Sequence, residues 1–323
     1  SIRWLSFLTG IASGDRPHFY FRCFSFIFIK VSMNKRQFLK SAAISGVAAC
    51  LFKNQSFENT IMKTLSDQDA SLVGEKEASH WVETPRGVKC LICPNECTLK
   101  DGELSVCHNR IARNGKLFTM AYGNPCAVHM DPVEKKPLLH FFPGSSAFSI
   151  ATAGCNFACL NCQNWEISQT SPTQTRNYQA DPATVVNQAI REQCKSIAYT
   201  YSEPVTFFEY MLDTATLAKS RMVKNIMVSN GYINRDPLLQ LCKVIDAANI
   251  DLKTFDPSIH LKLTAGNLNP VLETLKTFRD QGVWLEITNL IVPDWTDNFD
   301  QITRMCGWLA QEGFADYPLH FSR

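Results

Sequence analysis

The sequence predicts an α/β fold: a partial (β/α)6 TIM-like barrel that carries a small N-terminal cysteine-rich metal-binding domain. Three observations lead there. From residue 146 onward, apolar runs of strand length alternate with segments of helical period, the pattern of a parallel sheet with crossover helices. Polar residues recur just after those runs, and parallel α/β folds gather their chemistry at the C-terminal ends of the strands. Seven cysteines stand at metal-ligand spacings, four within residues 90–107 and three within residues 155–162.

Composition sets the bounds. With 323 residues and 45% hydrophobic content, the chain can bury the core of one large domain and a small one. A net charge of +2 gives no support to a nucleic-acid partner. The 13 cysteines, read with their spacing, favour thiolate–metal chemistry in a reducing compartment over disulfides.

Residues 1–32 hold scattered phenylalanines without helix or strand period, and read as irregular, disordered upstream translation ahead of Met33 or as an amphipathic anchor. Residues 33–50 resemble an export signal. Asn34-Lys35-Arg36 is basic, residues 41–49 are weakly apolar, and Cys50 follows Val47-Ala48-Ala49 as at a lipoprotein processing site. Lys35-Arg36 departs from the arginine pair of the twin-arginine type. The chemistry below places the protein in the cytoplasm; the leader favours export, or a membrane anchor if Cys50 is lipidated. Residues 51–80 are polar, without a sustained period, and read as a linker.

Residues 81–145 form the cysteine-rich domain. Cys90, Cys93, Cys97 and Cys107 open with a Cys-x-x-Cys knuckle and complete a four-thiolate set that suits zinc or an iron–sulfur centre. Cys126, alone, reads as a packed residue. Residues 131–141 are an extended, proline-bounded connection whose Glu134, Lys135 and Lys136 either face the active site or, as most charge runs do, lie in a solvated loop. His129 and His140 read as ordinary polar contacts, not ligands.

In residues 146–323 the predicted strands are 148–153, 196–201, 225–229, 250–254, 284–292 and 319–322. Helices are predicted at 182–194, 204–220, 236–248, 269–281 and 298–312, two of them opened by Asp-Pro pairs, Asp181-Pro182 and Asp236-Pro237. Phe207, Phe208, Tyr210 and Met211 read as core, and Cys194, Cys242 and Cys306 as buried thiols on helices. Cys155, Cys159 and Cys162 follow the first strand. Cluster cysteines usually come in fours. A local set of three leaves one iron without a thiolate from this loop, and an open position is what a catalytic metal needs.

These stretches resemble the radical S-adenosylmethionine proteins related to pyruvate formate-lyase activating enzyme, in particular the AmmeMemoRadiSam-system branch. The likeness runs over about three quarters of the chain. Residues 90–107, 131–140, 199–210, 251–255 and 319–323 carry it, together with the loop from Cys155 through Gln163-Asn164-Trp165-Glu166-Ile167-Ser168-Gln169. The resemblance implies a [4Fe-4S] cluster on Cys155, Cys159 and Cys162, and reductive cleavage of S-adenosylmethionine to a 5′-deoxyadenosyl radical that abstracts hydrogen. It also implies a one-electron donor such as flavodoxin or ferredoxin, and a substrate, protein or small molecule, that it leaves unnamed. Glu203 takes the place of the glutamate in the family's Gly-Gly-Glu turn, with Tyr201-Ser202 replacing the glycines, so that a positive φ at Ser202 would be strained. Asp251 and Lys253 match an Asp-x-Lys element that reaches the cofactor; Asn230 and His320 are further candidate contacts. Pro293-Asp294 stands where the family has Pro-Gly. The end at Arg323, just after a predicted strand, reads as truncation. Two other classes compete: a non-catalytic iron–sulfur carrier or assembly partner, and a zinc-binding structural protein. Neither has a use for Glu203, Asp251 and Lys253 gathered at the three-cysteine loop.

Overall fold

The computed structural model describes residues 74–323, together with the strands β1 (His18–Tyr20) and β2 (Lys30–Ser32). The contacts divide the chain into residues 1–61 and 62–323. In the first unit β1 and β2 pair antiparallel, Phe19 opposite Val31. The export-signal stretch 33–50, with Cys50, and the linker up to residue 73 lie outside the described residues.

The second unit opens with two small antiparallel sheets. One holds β3 (Lys76–Glu77), β8 (Lys116–Thr119) and β7 (Arg110–Arg113); the other holds β4 (Trp81–Thr84), β5 (Gly87–Cys90) and β6 (Thr98–Leu99). Lys76–Glu77, assigned to the linker by composition, is thus already a strand, because its backbone completes the edge of β8.

The large sheet has seven strands in the order β15-β14-β13-β12-β11-β10-β9. Six run parallel: β10 (Ser146–Ala151), β11 (Ser196–Tyr199), β12 (Lys224–Ser229), β13 (Ala247–Asp251), β14 (Trp284–Leu290) and β15 (Leu319–Ser322). The prediction did not include β9 (Ala127–Pro132), which adds antiparallel to β10. The helices are α1 (Trp165–Ser168), α2 (Pro182–Arg191), α3 (Phe208–Ser220), α4 (Arg235–Cys242), α5 (Pro257–Thr264), α6 (Leu268–Asp280) and α7 (Phe299–Gln311). The Asp181 carboxylate accepts from the Thr184 amide at 2.7 Å, a cap worth about 1 kcal/mol. In α3, Phe208, Met211, Ala215 and Ala218 bury one helical stripe with no exposure.

Two expectations are corrected. The helix expected to run to residue 248 ends at Cys242, and the fourth parallel strand starts at Ala247, not at 250. Ala247, Ala248, Asn249 and Ile250 are all buried, and a run buried on both faces gives no period that separates strand from helix. Pairing of Ala247 with both Ile226 and Trp284 decides the matter. The second correction concerns the cysteines: Cys306 is exposed on α7, and Cys194 lies beyond the end of α2.

One face of the sheet is covered by residues 133–141. Val133 and Leu138 are buried against Ala147, Ala198, Ile226 and Ala247 near the starts of four strands, with Phe141 beside them. Three alanines in that layer make room for the covering segment. The pleat then places Ala247, Asn249 and Asp251 on this same inner face. Register carries the rows onward: Asn249 stands opposite Glu286, and Asp251, Thr288 and His320 share a row across β13, β14 and β15. Among the described residues no helix is long and apolar enough to cross a membrane.

Candidate active site

The three-cysteine loop leaves β10 at its C-terminal end, and several backbone bonds fix it. The Gly154 amide donates to the Ile167 carbonyl at 2.7 Å, and the Ala158 and Leu160 amides donate to Thr264 and Leu263 carbonyls, each at 2.9 Å. The last two acceptors end α5, a helix absent from the prediction. Its signal was present all the same: Asp256-Pro257 repeats the Asp-Pro start, and the Asp256 carboxylate caps Ser258 and Ile259 at 2.9 and 3.0 Å. Phe157 points back into the protein. Its ring lies 4.9 Å from the Tyr232 ring, and it fills the space that a Cβ on Gly266 would occupy. Cys155, Cys159 and Cys162 are held half-buried around this anchor.

Four of the expected cofactor contacts gather at the loop. Asn230 Nδ2 donates to Asn156 Oδ1 at 2.8 Å and lies 4.0 Å from Cys155 Sγ. Glu203, 3% exposed, accepts from Ser229 Oγ at 2.7 Å and from the Asn230 and Val205 amides at 2.9 and 3.1 Å. Asp251 pairs with Lys253 at 2.9 Å. Burial pushes the Cys159 thiol up to about 11, with the Lys253 ammonium opposing and Cys162 and Asp251 adding to the rise. Burial, then the nearby Glu203 carboxylate, raises Cys155 well above the usual thiol range. Burial works against the charge of Lys253, and Asp251 and Cys159 outweigh it, holding the ammonium above its ordinary value.

Glu203 is pushed up to about 7 by burial, against hydrogen bonds that favour its charged form. The folded chain therefore holds this proton more tightly than the unfolded chain. The linked stability is full below about pH 4.5 and lost as the pH rises through about 7. Between those pH values the metal-free protein is expected to lose about 3 kcal/mol more stability than its Glu203→Gln variant. Urea unfolding at several pH values checks this; parallel pH profiles would refute it.

The turn before Glu203 corrects the expected strain. The left-handed residue is Tyr201, at φ +65°, not Ser202. Tertiary contacts hold it. The Tyr201 hydroxyl donates to Asp131, its carbonyl accepts from Asn164 Nδ2 at 2.9 Å, and the Lys136 ammonium stands 4.1 Å from its ring centroid. Lys136 is also not the solvated residue that a charge run suggests. It is 1% exposed and pairs with Asp131 at 2.6 Å, and burial pushes it down to about 8 against that partner. Lys135, by contrast, is exposed. Asp294 likewise adopts φ +66° where the family's glycine would sit without strain.

His320 reaches the same inner face, yet its imidazole nitrogen Nε2 meets Glu286 at 2.6 Å, and His140 meets the same carboxylate at 3.3 Å. Sequence reasoning missed Glu286 altogether; it lies within a strand with no charged neighbour to mark it.

The other four cysteines share one small cavity, lined by Cys90, Cys93, Cys97, Cys107, Arg110 and Asn156. Burial raises all four thiols, and they raise one another as like charges, while the Arg110 guanidinium opposes the rise at Cys90, Cys97 and Cys107. This cavity abuts the three-cysteine loop. Asn95 Nδ2 donates to the Asn156 carbonyl at 2.9 Å, and a Cβ on Gly154 would stand 2.4 Å from the Cys107 carbonyl oxygen.

Comparison with known proteins matches residues 149–306 to the Radical SAM superfamily. An uncharacterized protein of Methanocaldococcus jannaschii is 44% identical over 236 residues, 73% of this chain and 70% of that one. The pyruvate formate-lyase-activating enzyme of Listeria monocytogenes is 25% identical over 167 residues, 49% of this chain and 67% of that one. The structure of Streptococcus suis SuiB bound to S-adenosylmethionine covers 54% of this chain and 38% of its own, at 15% identity and a TM-score of 0.39. The chain belongs to the Radical SAM superfamily, as an enzyme similar to the pyruvate formate-lyase-activating enzymes.

Proposed function

We propose that Cys155, Cys159 and Cys162 hold a [4Fe-4S] cluster whose open iron takes the methionine end of S-adenosylmethionine. The donor set fits: three thiols on one backbone-fixed loop, with a buried carboxylate, an ammonium and an amide at its rim. When bound, the reduced cluster supplies the electron that cleaves S-adenosylmethionine and yields a 5′-deoxyadenosyl radical for hydrogen abstraction from a substrate. The chain's own residues bind and orient. Glu203 receives the cofactor's amine, its carboxylate already aimed by Ser229 and Asn230. Lys253, kept charged by Asp251, meets the cofactor's anionic groups. Asn230 ties the Asn156 side chain down beside Cys155.

The observation that carries this reading is the gathering of Glu203, Asn230, Asp251 and Lys253 at one thiol loop. They come from three different strand ends, and an electron carrier has no use for them. His320, in the same row as Asp251, is a weaker candidate because Glu286 already engages its ring. Cys90, Cys93, Cys97 and Cys107 form a second thiolate centre, zinc or iron–sulfur. As in related enzymes, a one-electron reductant feeds the reaction; the substrate is a protein or a small molecule.

Anaerobic reconstitution with iron and sulfide, then reduction with S-adenosylmethionine present, tests the proposal. Wild type is expected to form 5′-deoxyadenosine, and Cys159→Ala none. Cluster assembly in wild type without any cofactor cleavage would favour the carrier. Iron and zinc counts on the same sample identify the metal of the four-cysteine centre.

A further inference from the structure

We propose that His140, Glu286 and His320 form a site for one divalent transition-metal ion of the zinc class, separate from both sets of thiolates. His140 Nδ1 or Nε2, one Glu286 oxygen and His320 Nδ1 or Nε2 all lie within 4.8 Å of one another. They come from three parts of the chain: the covering segment 133–141, strand β14 and the edge strand β15. Two imidazoles and a carboxylate are a common zinc donor set, and three protein ligands leave a fourth position for water or another ligand. His140 Nδ1 lies 3.3 Å and His320 Nε2 lies 2.6 Å from the same Glu286 oxygen, Oε2. At metal–ligand bonds of about 2.1 Å, tetrahedral ligand atoms stand about 3.4 Å apart. The first distance already fits. The second is that of a hydrogen bond, and opens by less than about 1 Å once the ion replaces the bridging proton.

The carboxylate is built for the task. Glu286 is fully buried at 0% exposure. Three donors other than the imidazoles fix it: the Leu139 amide at 3.0 Å, the His140 amide at 2.9 Å and Trp284 Nε1 at 3.1 Å. Ligating carboxylates are usually oriented by such outer partners. The two imidazoles are already nearly parallel, 16° apart with centroids at 5.8 Å, and both converge on Oε2. The His140 side chain is 56% exposed, so an ion there would exchange with solvent. A buried carboxylate with only a structural duty needs its three fixed donors; it does not need two further imidazoles on one oxygen. Bound metal would tie β15, the last strand of the sheet, to the segment that covers the inner face.

The test is a zinc titration of the protein after anaerobic iron–sulfide reconstitution, comparing wild type with His140→Ala and His320→Ala. Zinc taken up by cysteines cancels in the comparison. Wild type is expected to bind one more zinc per chain than either variant. Trp284→Phe, which removes only the outer donor, weakens that zinc by about 10–100-fold. Added imidazole restores binding to His140→Ala, whose missing ring is the exposed one. Cobalt in place of zinc gives a wild-type-minus-variant spectrum with visible bands and no sulfur-to-cobalt charge transfer. Equal zinc uptake in wild type and His140→Ala would overturn the proposal, as would a sulfur charge-transfer band in the difference spectrum. Should His320→Ala not fold, His140→Ala decides. None of these readings uses cofactor cleavage, so the site stands or falls apart from the proposed reaction.

Discussion

Replacing Glu209 by glutamine is expected to destabilise the protein by about 3–5 kcal/mol, the cost of leaving a buried charge unpaired. Arg110 is 1% exposed and meets Glu209 in two parallel bonds of 3.0 and 2.9 Å. The pair joins β7 of the cysteine-rich region to α3 of the large sheet. Glu209 also accepts from the Ser79 amide and hydroxyl at 2.8 and 2.9 Å, so both its oxygens are in use. Burial would raise the carboxyl of Glu209, and the guanidinium outweighs it, holding it below the usual range. Arg110→Met is expected to cost less, because the stranded carboxyl can take up a proton, whereas a guanidinium cannot lose one. The double variant Arg110→Met/Glu209→Leu is expected to regain part of the loss, since an apolar pair of similar volume needs no desolvation, while the Ser79 amide and hydroxyl lose their acceptor. Urea unfolding of the set, with Glu209→Leu as the matching single, checks this; a double variant as unstable as Arg110→Met and Glu209→Leu summed would refute it. Arg110 also stands beside Cys90 and Cys107, so at the proposed four-cysteine centre Arg110→Met is expected to take up less metal than a surface variant of equal stability.

Gly154→Ala is the second large effect. Gly154 has φ +97°, and an added Cβ would meet the Cys107 carbonyl oxygen at 2.4 Å and Asn109 side-chain atoms at 2.7 Å. Backbone strain of about 1–3 kcal/mol adds to overpacking of about 1–3 kcal/mol. The neighbour is backbone, which cannot swing aside, so the loop itself must move, and Cys155 is the next residue. Expected results are a loss of about 2–6 kcal/mol and iron uptake well below wild type after reconstitution. Gly144→Ala, at φ +77° with open space around its Cβ, provides the control for strain alone. Equal iron uptake in the two variants would show that the contact with Cys107 does not set the loop.

Much of this was legible beforehand, and particular residues show why. Strand β15, predicted at residues 319–322, is found at Leu319–Ser322, because the alternation of Leu319 and Phe321 with His320 and Ser322 leaves a period to read. Asp181 announced α2 because an N-cap is a local event, settled within four residues. Strand β13 escapes a sequence reading because Ala247–Ile250 are buried without alternation, polar Asn249 included, and its two alanines suit a helix equally well. The left-handed turn was assigned one residue late, to Ser202, since only Asp131, Lys136 and Asn164 explain why a tyrosine accepts it. The sequence leaves Lys136 between an active-site face and a solvated loop, because nothing local reveals that Asp131 and Tyr201 lie beside it.

The sequence by itself determined the two groupings of cysteines proposed as ligands. Three cysteines stand within eight residues and four within eighteen, spacings at which a turn of the chain lets each set share a metal centre. It also determined the alternation that stacks parallel strands and puts loops at one end. Only the tertiary structure decided what faces those cysteines. Glu203 and Asn230, 27 residues apart, meet because adjacent strands β11 and β12 end side by side. Arg110 and Glu209, 99 residues apart, meet because a small sheet docks on one helix. His140 and Glu286, 146 residues apart, meet because a covering segment crosses the inner face at the level where β14 turns its carboxylate inward. Separations of that size are set by register and packing, to which spacing along the chain gives no access.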